Sequence, residues 1–533
     1  MSKLLLSLAL LFTTVTASAQ NPQIKTSAGI LEGIEVSGMK VFKGVAFAEP
    51  PVGELRWKAP QPVKPWTGVR KAHDYGPNPM QQPLFGDMNF GTKAMSEDCL
   101  YLNIWTPAKT MDEKLPVLIY FNGGGLIAGS GSEPRYAGTT MARKGIVSIT
   151  ANYREGIFGF FAHPELSAET KYKGSGNYGF MDQAAAIKWV KENISAFGGD
   201  PERITIAGES AGSMSVSALM ASPLCKGLFA QAIGSSGSVL RGGRLKTLKE
   251  AEQEGQEMAE KLGCKSIKDM RDIPAEELMN RAAVTGLPGY NVDGYVLTEQ
   301  PEDVYADGKQ CKVPLLVGGN NYEMPAAFIL QDKAATVENI KNNVKEAFGD
   351  ETDNILRMYG INTDADINGD GGIQLASDMF IAFSTWKWGY MHAKTGGCPV
   401  YRYIYCHPRP AMRVKGKTAG MAGGVIDKKD DETEEPLAPG AVHSADIEYA
   451  MGTLPTNRVY DWQAEDFIMS DVFSSYYANF IKTGNPNGLG LTEWVPMSAD
   501  NTTPSLQLDV ESKMTDDAKV EQRYELIDEL LSK

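Results

Sequence analysis

The residues best suited to chemistry are the five consecutive residues 208–212, with the sequence Gly-Glu-Ser-Ala-Gly. The apolar run 204–206 precedes them and a segment compatible with a helix follows, so the pattern predicts a strand, a sharp turn and a helix. Gly-x-Ser-x-Gly in that context is a nucleophile elbow, in which a strained turn lifts the serine hydroxyl to the top of a sheet. Ser210 is therefore the predicted nucleophile. The alternative is a glycine- and serine-rich turn without a catalytic role, and the rest of the chain must decide.

Three consecutive glycines at 123–125 are the second candidate feature. They follow the continuous apolar run 115–121, which is typical of a strand buried on both faces. Glycines expose backbone N–H groups that can bind an anion, although a flexible turn is the simpler interpretation of the glycines alone. Acyl transfer requires donors aimed at the developing oxyanion. With the elbow present, we predict an oxyanion hole formed by the N–H groups of Gly124, Gly125 and Ala211.

The elements around these motifs alternate between strands and helices. Apolar runs at 115–121, 145–150 and 204–206 predict buried strands, and residues 181–194 predict a helix because their apolar positions recur three and four apart. No linker-like break divides the chain, so residues 20–533 are predicted to form a single domain. The alternation predicts an α/β fold with a large, mostly parallel central sheet, helices on both faces and long loop insertions.

Several motifs resemble those of the type-B carboxylesterase and cholinesterase branch of the α/β-hydrolases, in the family's order over residues 24–510. They are Glu-Asp-Cys-Leu-Tyr-Leu-Asn at 97–103, the glycines at 123–125, Asn-Tyr-Gly-Phe-Met-Asp-Gln at 177–183, Phe-Gly-Gly-Asp-Pro at 197–201, and the elbow. The resemblance implies the α/β-hydrolase fold and an esterase that hydrolyses small carboxylic esters through an acyl-enzyme. It implies no metal and no organic cofactor.

The resemblance also implies the partners of Ser210. In the family the acid, often a glutamate, follows the serine, and the histidine comes last. Residues 318–323 resemble the family's Gly-x-Asn-x-x-Glu, which makes Glu323 the acid, and residues 440–449 resemble the segment with the family's histidine, which makes His443 the base. A serine nucleophile needs an imidazole at neutral pH, and the chain has five histidines. The other four are predicted to be structural: His73, His163, His392 and His407.

Glu209 and Ser236 match family positions near the triad, so the resemblance implies that they support it. The alternative is that they are ordinary polar residues in turns.

Residues 364–371 resemble the front of a calcium loop, but the closing bidentate glutamate is missing. We therefore predict a solvated acidic loop there and no metal site.

Some positions depart from the family pattern. In cholinesterase relatives a tryptophan binds the choline ammonium, and the aligned position here is Asn89. Choline esters are therefore disfavoured as substrates. Cys99 and Cys264 lack the family's partner cysteines and are predicted to be free thiols. Leu126 stands where an aromatic residue usually follows the glycines, which changes the acyl pocket.

The net charge limits the kinds of binding partner, and the N-terminal sequence predicts the cellular location. The formal net charge of −14 disfavours binding to nucleic acid or to anionic membranes, because both kinds of binding require clustered Lys and Arg. Residues 1–19 have a charged start, a short apolar region and an Ala-x-Ala site, which predicts a secretory signal peptide and a periplasmic or secreted protein. No other apolar run approaches the ~20 residues of a membrane helix, so no membrane anchor is predicted.

Two other enzymes fit the same triad, namely a lipase and a polysaccharide deacylase. A third possibility is a non-catalytic binding module on the cholinesterase fold, because a fold alone never establishes activity. Residues 415–439 are rich in Gly and Ala and then charged. They predict a loop that is either a rim or lid over the site or a solvated insertion.

Overall fold

The computed structural model describes residues 21–331, 333–420, 422, 424–428, 438–516 and 518–532. The predicted signal peptide lies outside these residues. Within them, eleven strands form one large sheet. In order across the sheet, the strands are Lys513–Asp516, Pro504–Leu508, Val400–Tyr405, Leu315–Asn320, Gln231–Ser235, Gly199–Glu209, Leu115–Phe121, Val147–Ala151, Tyr101–Thr106, Met39–Ala46 and Ile34–Val36.

The middle of this sheet is parallel and its edges are antiparallel. Strand Leu115–Phe121 runs parallel to both of its neighbours, Val147–Ala151 and Gly199–Glu209. Parallel pairing continues through to strand Pro504–Leu508, whereas Lys513–Asp516 pairs antiparallel at the edge. The predicted α/β-hydrolase fold with a mostly parallel sheet is confirmed.

Both faces of the central strands are buried, as their continuous apolar sequences predict. In strand Leu115–Phe121, Val117 and Ile119 belong to one apolar cluster, while Leu118 and Tyr120 belong to another on the opposite face. A strand covered on both sides has no polar face, which explains why its sequence does not alternate. The ends of these strands are consequently held in fixed positions.

Helices cover the sheet. The longer α-helices are Tyr178–Asn193, Ala211–Ala221, Leu248–Lys261, Ala275–Thr285, Val337–Phe348, Asp370–Ser377, Phe383–Thr395, Ala464–Thr483 and Ala518–Leu531. The shorter ones are Thr139–Arg143, Gly156–Phe160, Pro164–Glu169, Ile267–Asp272, Pro301–Ala306, Ala327–Leu330, Thr352–Met358 and Ile447–Met451. In the part of the chain that the structure describes, none of the helices is both long and apolar enough to cross a membrane.

The described part of residues 415–439 contains a hairpin, whereas the sequence predicts a loop. Strands Lys417–Ala419 and Val425–Asp427 form an antiparallel hairpin, whereas residues 421, 423 and 429–437 lie outside the described part of the chain. The hairpin is anchored by the buried Asp87, whose carboxylate accepts a hydrogen bond of 2.8 Å from the backbone N–H of Gly424. Such tertiary anchoring, which local sequence does not encode, explains the difference.

A further small sheet contains Gln23–Lys25, Ile30–Glu32 and Val69–Lys71.

Candidate active site

The turn around Ser210 has the geometry of a nucleophile elbow. Strand Gly199–Glu209 ends directly before it and helix Ala211–Ala221 begins directly after it. Ser210 itself has φ 55° and ψ −122°, a conformation that costs a non-glycine residue about 1–3 kcal/mol. An added Cβ on Gly208 would lie 2.4 Å from the carbonyl carbon of Gly212, so the tight turn requires glycine at position 208. The Ser210 side chain is partly exposed.

The structure brings Ser210 and His443 together across 233 positions of sequence. His443 Nε2 lies 3.1 Å from Ser210 Oγ, and His443 Nδ1 lies 2.6 Å from Glu323 Oε2. The second carboxylate oxygen of Glu323 accepts hydrogen bonds from the backbone N–H of Asn320 at 2.7 Å and from the Ser236 hydroxyl at 2.5 Å. Both oxygens of the carboxylate are therefore engaged, and its orientation is set.

The loops that carry Glu323 and His443 are tied to each other. Tyr322 N donates to the carbonyl of Ala441 at 3.0 Å, and Ala441 N donates to the side-chain oxygen of Asn321 at 2.8 Å. The acid loop follows the central strand Leu315–Asn320. These bonds couple the histidine loop to the rigid sheet, so the two side chains approach each other in a defined geometry.

The glycine loop lies against the elbow. A Cβ added to Gly123 would lie 3.1 Å from Ser210 Cβ, which shows how closely the two segments approach. Gly124 has φ +114°, and an added Cβ there would lie 2.0 Å from the carbonyl oxygen of Ala128. Ala211 opens the elbow helix, where the first N–H groups have no intrahelical acceptor. The loop and the helix start thus border the same hydroxyl.

Buried polar side chains brace the glycine loop from behind. Asn122 Nδ2 donates to the carbonyl of Gly123 at 3.0 Å and to Glu155 Oε1 at 3.2 Å, and the Tyr153 hydroxyl donates to the carbonyl of Asn122 at 3.0 Å. Burial raises the pKa of Glu155 well above its ordinary value, opposed by hydrogen bonds from Asn122 and Tyr153. The glycine loop is consequently held in place by a buried hydrogen-bond network.

Several carboxylates surround His443. Glu209 Oε1 lies 3.4 Å from His443 Nε2 and accepts a hydrogen bond of 2.6 Å from the Ser444 hydroxyl. Asp446 lies behind them and is bonded by the Asn320 amide and the Tyr403 hydroxyl. Only Glu209 and Glu323 were expected from sequence near the imidazole, and the structure adds Asp446.

This crowding of buried charges changes proton affinities. Burial alone would lower the pKa of His443, but the charge of Glu209 and the hydrogen bond and charge of Glu323 outweigh it and raise the pKa to about 9. Burial, followed by repulsion from Glu209 and Glu323, raises the pKa of Asp446 to about 7. Burial also raises the pKa of Glu209, opposed by the charge of His443 and the hydrogen bond from Ser444. The cluster therefore favours a charged imidazole.

Two aromatic side chains beside His443 were not anticipated from sequence. The Phe380 ring meets the His443 ring edge-on at 5.0 Å, and the Phe328 ring meets Phe380 at 5.3 Å. Phe328 is 42% exposed, so this aromatic pair extends from the imidazole to the surface. Phe380 lies in the π-helical turn Asp378–Ala382, a feature often found at functional sites. A single π-turn inside a helical stretch leaves no recognisable sequence signal.

The structure also shows the surroundings of the positions that depart from the family pattern. Asn89 is exposed, whereas the neighbouring side chains of Phe85 and Met88 approach the glycine loop at Gly125 and Gly124. Leu126 is buried with φ 62°. The prediction of free thiols at Cys99 and Cys264 is confirmed.

The other four histidines have structural partners, as predicted. His73 pairs with Glu32, His163 accepts from the backbone N–H of Glu165, and His392 bonds the carbonyl of Val313. His407 lies between two carboxylates, Asp466 and Asp509. None of these five contacts involves the elbow serine.

The acidic segment 364–371 is built differently from a calcium loop. Asp364–Asp366 form a 3-10 turn, and helix Asp370–Ser377 follows. Asp366 accepts from the backbone N–H groups of Asn362 and Thr363, so its carboxylate caps the turn. Among the described residues, no group of three or more His, Cys, Asp or Glu is arranged to hold a metal ion.

Comparison with known proteins gives consistent matches. The sequence model of the carboxylesterase family matches residues 20–527. Fumonisin B1 esterase of Sphingopyxis macrogoltabida is 41% identical over 463 residues, which cover 80% of this chain and 84% of the relative. Para-nitrobenzyl esterase of Bacillus subtilis (strain 168) is 30% identical over 524 residues, or 94% of this chain and 98% of the relative. A crystal structure of a carboxylesterase from Geobacillus stearothermophilus matches with a TM-score of 0.79 at 30% identity, over 95% of this chain and 99% of its own.

Proposed function

The chain belongs to the carboxylesterase family and is a carboxylic ester hydrolase, and on this premise we propose that it cleaves esters through a Ser210–His443–Glu323 triad and an acyl-enzyme. The observation that carries this proposal is the unbroken series of contacts from Ser210 Oγ through both ring nitrogens of His443 to Glu323. A nucleophile, a base within hydrogen-bond reach and an acid that orients the base are the parts that serine catalysis requires.

In the first step, Ser210 Oγ attacks the ester carbonyl while His443 Nε2 takes the serine proton. Glu323 holds the imidazole by Nδ1 and stabilises its charged form, and His443 then protonates the leaving alcohol. Water attacks the acyl-enzyme with the same base, which releases the acid and restores Ser210. We assign the acid role to Glu323 because its carboxylate contacts the imidazole at 2.6 Å.

The tetrahedral oxyanion is held by the N–H groups of Gly124, Gly125 and Ala211. The close approach of the glycine loop to Ser210 supports this role, as does the bracing of that loop by Asn122. Donors already in place at the start of the reaction stabilise charge that develops only in the transition state. No cofactor or metal takes part in the proposed reaction.

Glu209 and Ser236 support the triad in different ways. Ser236 donates to Glu323 and limits how that carboxylate can rotate. Glu209 lies 3.4 Å from His443 Nε2, where its charge favours the imidazolium that forms in the transition state. The Ser236 hydroxyl bonds Glu323 and the Glu209 carboxylate lies beside His443, whereas Ser210 Oγ bonds His443, so we assign Glu209 and Ser236 supporting roles.

The proposed substrate is a small ester with an apolar group. The aromatic pair Phe328 and Phe380 provides an apolar wall beside His443, which favours an esterase or a lipase over a polysaccharide deacylase. Asn89 provides no aromatic face for a quaternary ammonium, so choline esters are expected to be poor substrates. A binding module would not need an assembled triad, and we therefore place this alternative last.

We further propose that residues 1–19 direct export and that residues 20–533 form one domain. The family model begins at residue 20 and extends to residue 527, which supports a single domain downstream of a removable segment. The expected location is the periplasm or the medium. Determination of the N-terminal residue of the mature protein tests this proposal, and retention of residues 1–19 would contradict it.

The triad is tested with Ser210→Ala on p-nitrophenyl acetate, for which we expect turnover to fall to background with an unchanged unfolding transition. The matched control is Ser217→Ala on the same helix, because the Ser217 hydroxyl bonds the carbonyl of Met214 and the N–H of Val239. The control should retain activity. Unchanged turnover by Ser210→Ala would refute the proposal.

Substrate class is tested with p-nitrophenyl esters of increasing acyl length, an acetylated sugar, a choline ester and fumonisin B1. Fumonisin B1 is included because a relative is named for its hydrolysis. We expect higher kcat/KM for short acyl esters than for the sugar or choline esters. A preference for the acetylated sugar would replace the proposed substrate class by that of a deacylase.

A further inference from the structure

Ser444, the residue directly after His443, has an unfavourable backbone conformation. Its φ is +61°, in the left-handed region that favours glycine. Two other serines of the site share this property, Ser210 with φ 55° and Ser236 with φ 53°. Strain of this kind persists only where the surroundings over-determine it, and it is concentrated at functional sites. Glycine would adopt this conformation without strain, so the serine side chain is expected to contribute something that glycine cannot.

Neighbouring groups hold the Ser444 backbone in this conformation. The buried guanidinium of Arg409 donates to the Ser444 carbonyl at 3.2 Å, and Ala445 N donates to the carbonyl of Val442 at 3.0 Å. Ser444 is 1% exposed. The backbone therefore has little freedom, and the direction of the side chain is set with it.

The hydroxyl of Ser444 is directed at the carboxylate beside the proposed base. Ser444 Oγ donates to Glu209 Oε1 at 2.6 Å, and Glu209 is also 1% exposed. The same oxygen lies 3.4 Å from His443 Nε2, which in turn lies 3.1 Å from Ser210 Oγ. Glu209 Oε1 and Ser210 Oγ are thus two possible partners for one ring nitrogen.

We propose that Ser444 is a positioning residue whose hydroxyl holds Glu209 Oε1 away from His443 Nε2 and so leaves this nitrogen to Ser210. The proposal rests on the triad proposed above. If the hydroxyl is removed, Oε1 loses a short hydrogen bond, and Nε2 is close enough to replace it. A direct Glu209–His443 ion pair would stabilise the imidazolium and withdraw the base from Ser210.

The charge of Glu209 and His443 depends on further groups packed around them. The titratable groups that act on one or both of these residues are Arg135, Glu133, Glu323, Asp446, Tyr120, Tyr136 and Tyr477. None of them is altered by a substitution at position 444. Changes in pH dependence caused by such a substitution therefore report on the Ser444–Glu209–His443 contact.

The test compares Ser444→Ala, which removes the hydroxyl and keeps the backbone strain, with Ser444→Gly, which removes both. We expect kcat/KM for p-nitrophenyl acetate to fall about ten- to hundredfold in both variants, since a catalytic group displaced by ~1 Å costs about a hundredfold. In both, the midpoint of the acid limb of the kcat/KM profile should move to higher pH. The melting temperature should be higher for Ser444→Gly than for Ser444→Ala.

Two controls separate the hydroxyl from backbone strain. Ser37 also has a positive φ of 50°, but it lies exposed in the turn between strands Ile34–Val36 and Met39–Ala46, so Ser37→Gly should leave the pH profile unchanged. In a Glu209→Gln background, Ser444→Ala should no longer move the midpoint, because the charged competitor is gone.

An unchanged midpoint in both Ser444 variants, or a shift to lower pH, would overturn this inference. Persistence of the upward shift in the Glu209→Gln background would also overturn it. These outcomes are independent of the triad test, because Ser210→Ala can be inactive whether or not Ser444 has this role.

Discussion

His443 and His407 are both enclosed imidazoles with carboxylates at hydrogen-bond distance, but only one of them faces a hydroxyl. His407 has Asp509 at 3.0 Å from Nδ1 and Asp466 at 3.0 Å from Nε2. Because an imidazole donates from both nitrogens only when it is protonated, two carboxylates hold the ring in its charged form. His443 has a carboxylate on Nδ1 and Ser210 Oγ at Nε2, so one nitrogen is placed to accept a proton.

The two rings differ in the groups they contact, but nearby carboxylates raise the pKa of both. Burial would lower the pKa of His407, but hydrogen bonds to Asp466 and Asp509 outweigh it and raise the pKa, as the carboxylates do for His443. A raised pKa therefore does not identify a catalytic histidine. The group at the second ring nitrogen makes the difference, and it can be a structural carboxylate or a nucleophile.

The largest expected difference between the two rings is in turnover. His443→Gln should lower kcat by about 10⁶-fold, as does loss of the histidine in a serine protease triad. His407→Gln should leave kcat for p-nitrophenyl acetate within about threefold, since a substitution away from the site removes no transition-state interaction. Steady-state kinetics of both purified variants make the comparison. Comparable losses in both variants would mean that His407 also supports the chemistry.

The second difference is in the pH dependence of activity. A base works in its neutral form, and the pKa of His443 is raised to about 9, so kcat/KM of the free enzyme should rise with pH to a midpoint near 9. The profile of His407→Gln should have the same midpoint. A wild-type midpoint near the ordinary histidine value of about 6.5 would show that the surrounding carboxylates do not hold His443 in its charged form.

The smallest effect concerns stability at the His407 contacts. Because the pKa of His407 is raised in the folded state, its contribution to the free energy of unfolding is full below about pH 6.5 and is lost as pH rises through the folded-state pKa. His407→Gln should lower that free energy by about 1.5–3 kcal/mol at pH 5.5, the usual worth of a hydrogen bond to a charged group. Urea unfolding at pH 5.5 and at pH 9.5 measures it. A deficit that grows with pH would contradict the ion-pair account.

The site could be anticipated from sequence wherever the signal is local. The elbow, the glycine loop and the strand at 115–121 are each encoded by consecutive residues, and the structure has strand Leu115–Phe121 with the predicted bounds. Ser444 and Asp446 lie within the segment recognised around His443, yet nothing in that segment indicates which carboxylate each would meet. Glu209 and Ser444 are 235 positions apart. Their contact depends on how two loops pack.

By itself the sequence determined the α/β class and the strand-turn-helix pattern of the elbow, because these depend on short-range pattern, and its family-like motifs supplied the proposed order of serine, acid and histidine. Only the tertiary structure decided which side chains surround the imidazole, namely the Glu209–Ser444 contact, the buried Asp446 and the Phe380 ring. It also decided that strands Lys417–Ala419 and Val425–Asp427 pair in a hairpin anchored by Asp87. The physical reason is common to all of these: burial and proximity between distant segments set charge and geometry, and neither is a property of a short stretch of chain.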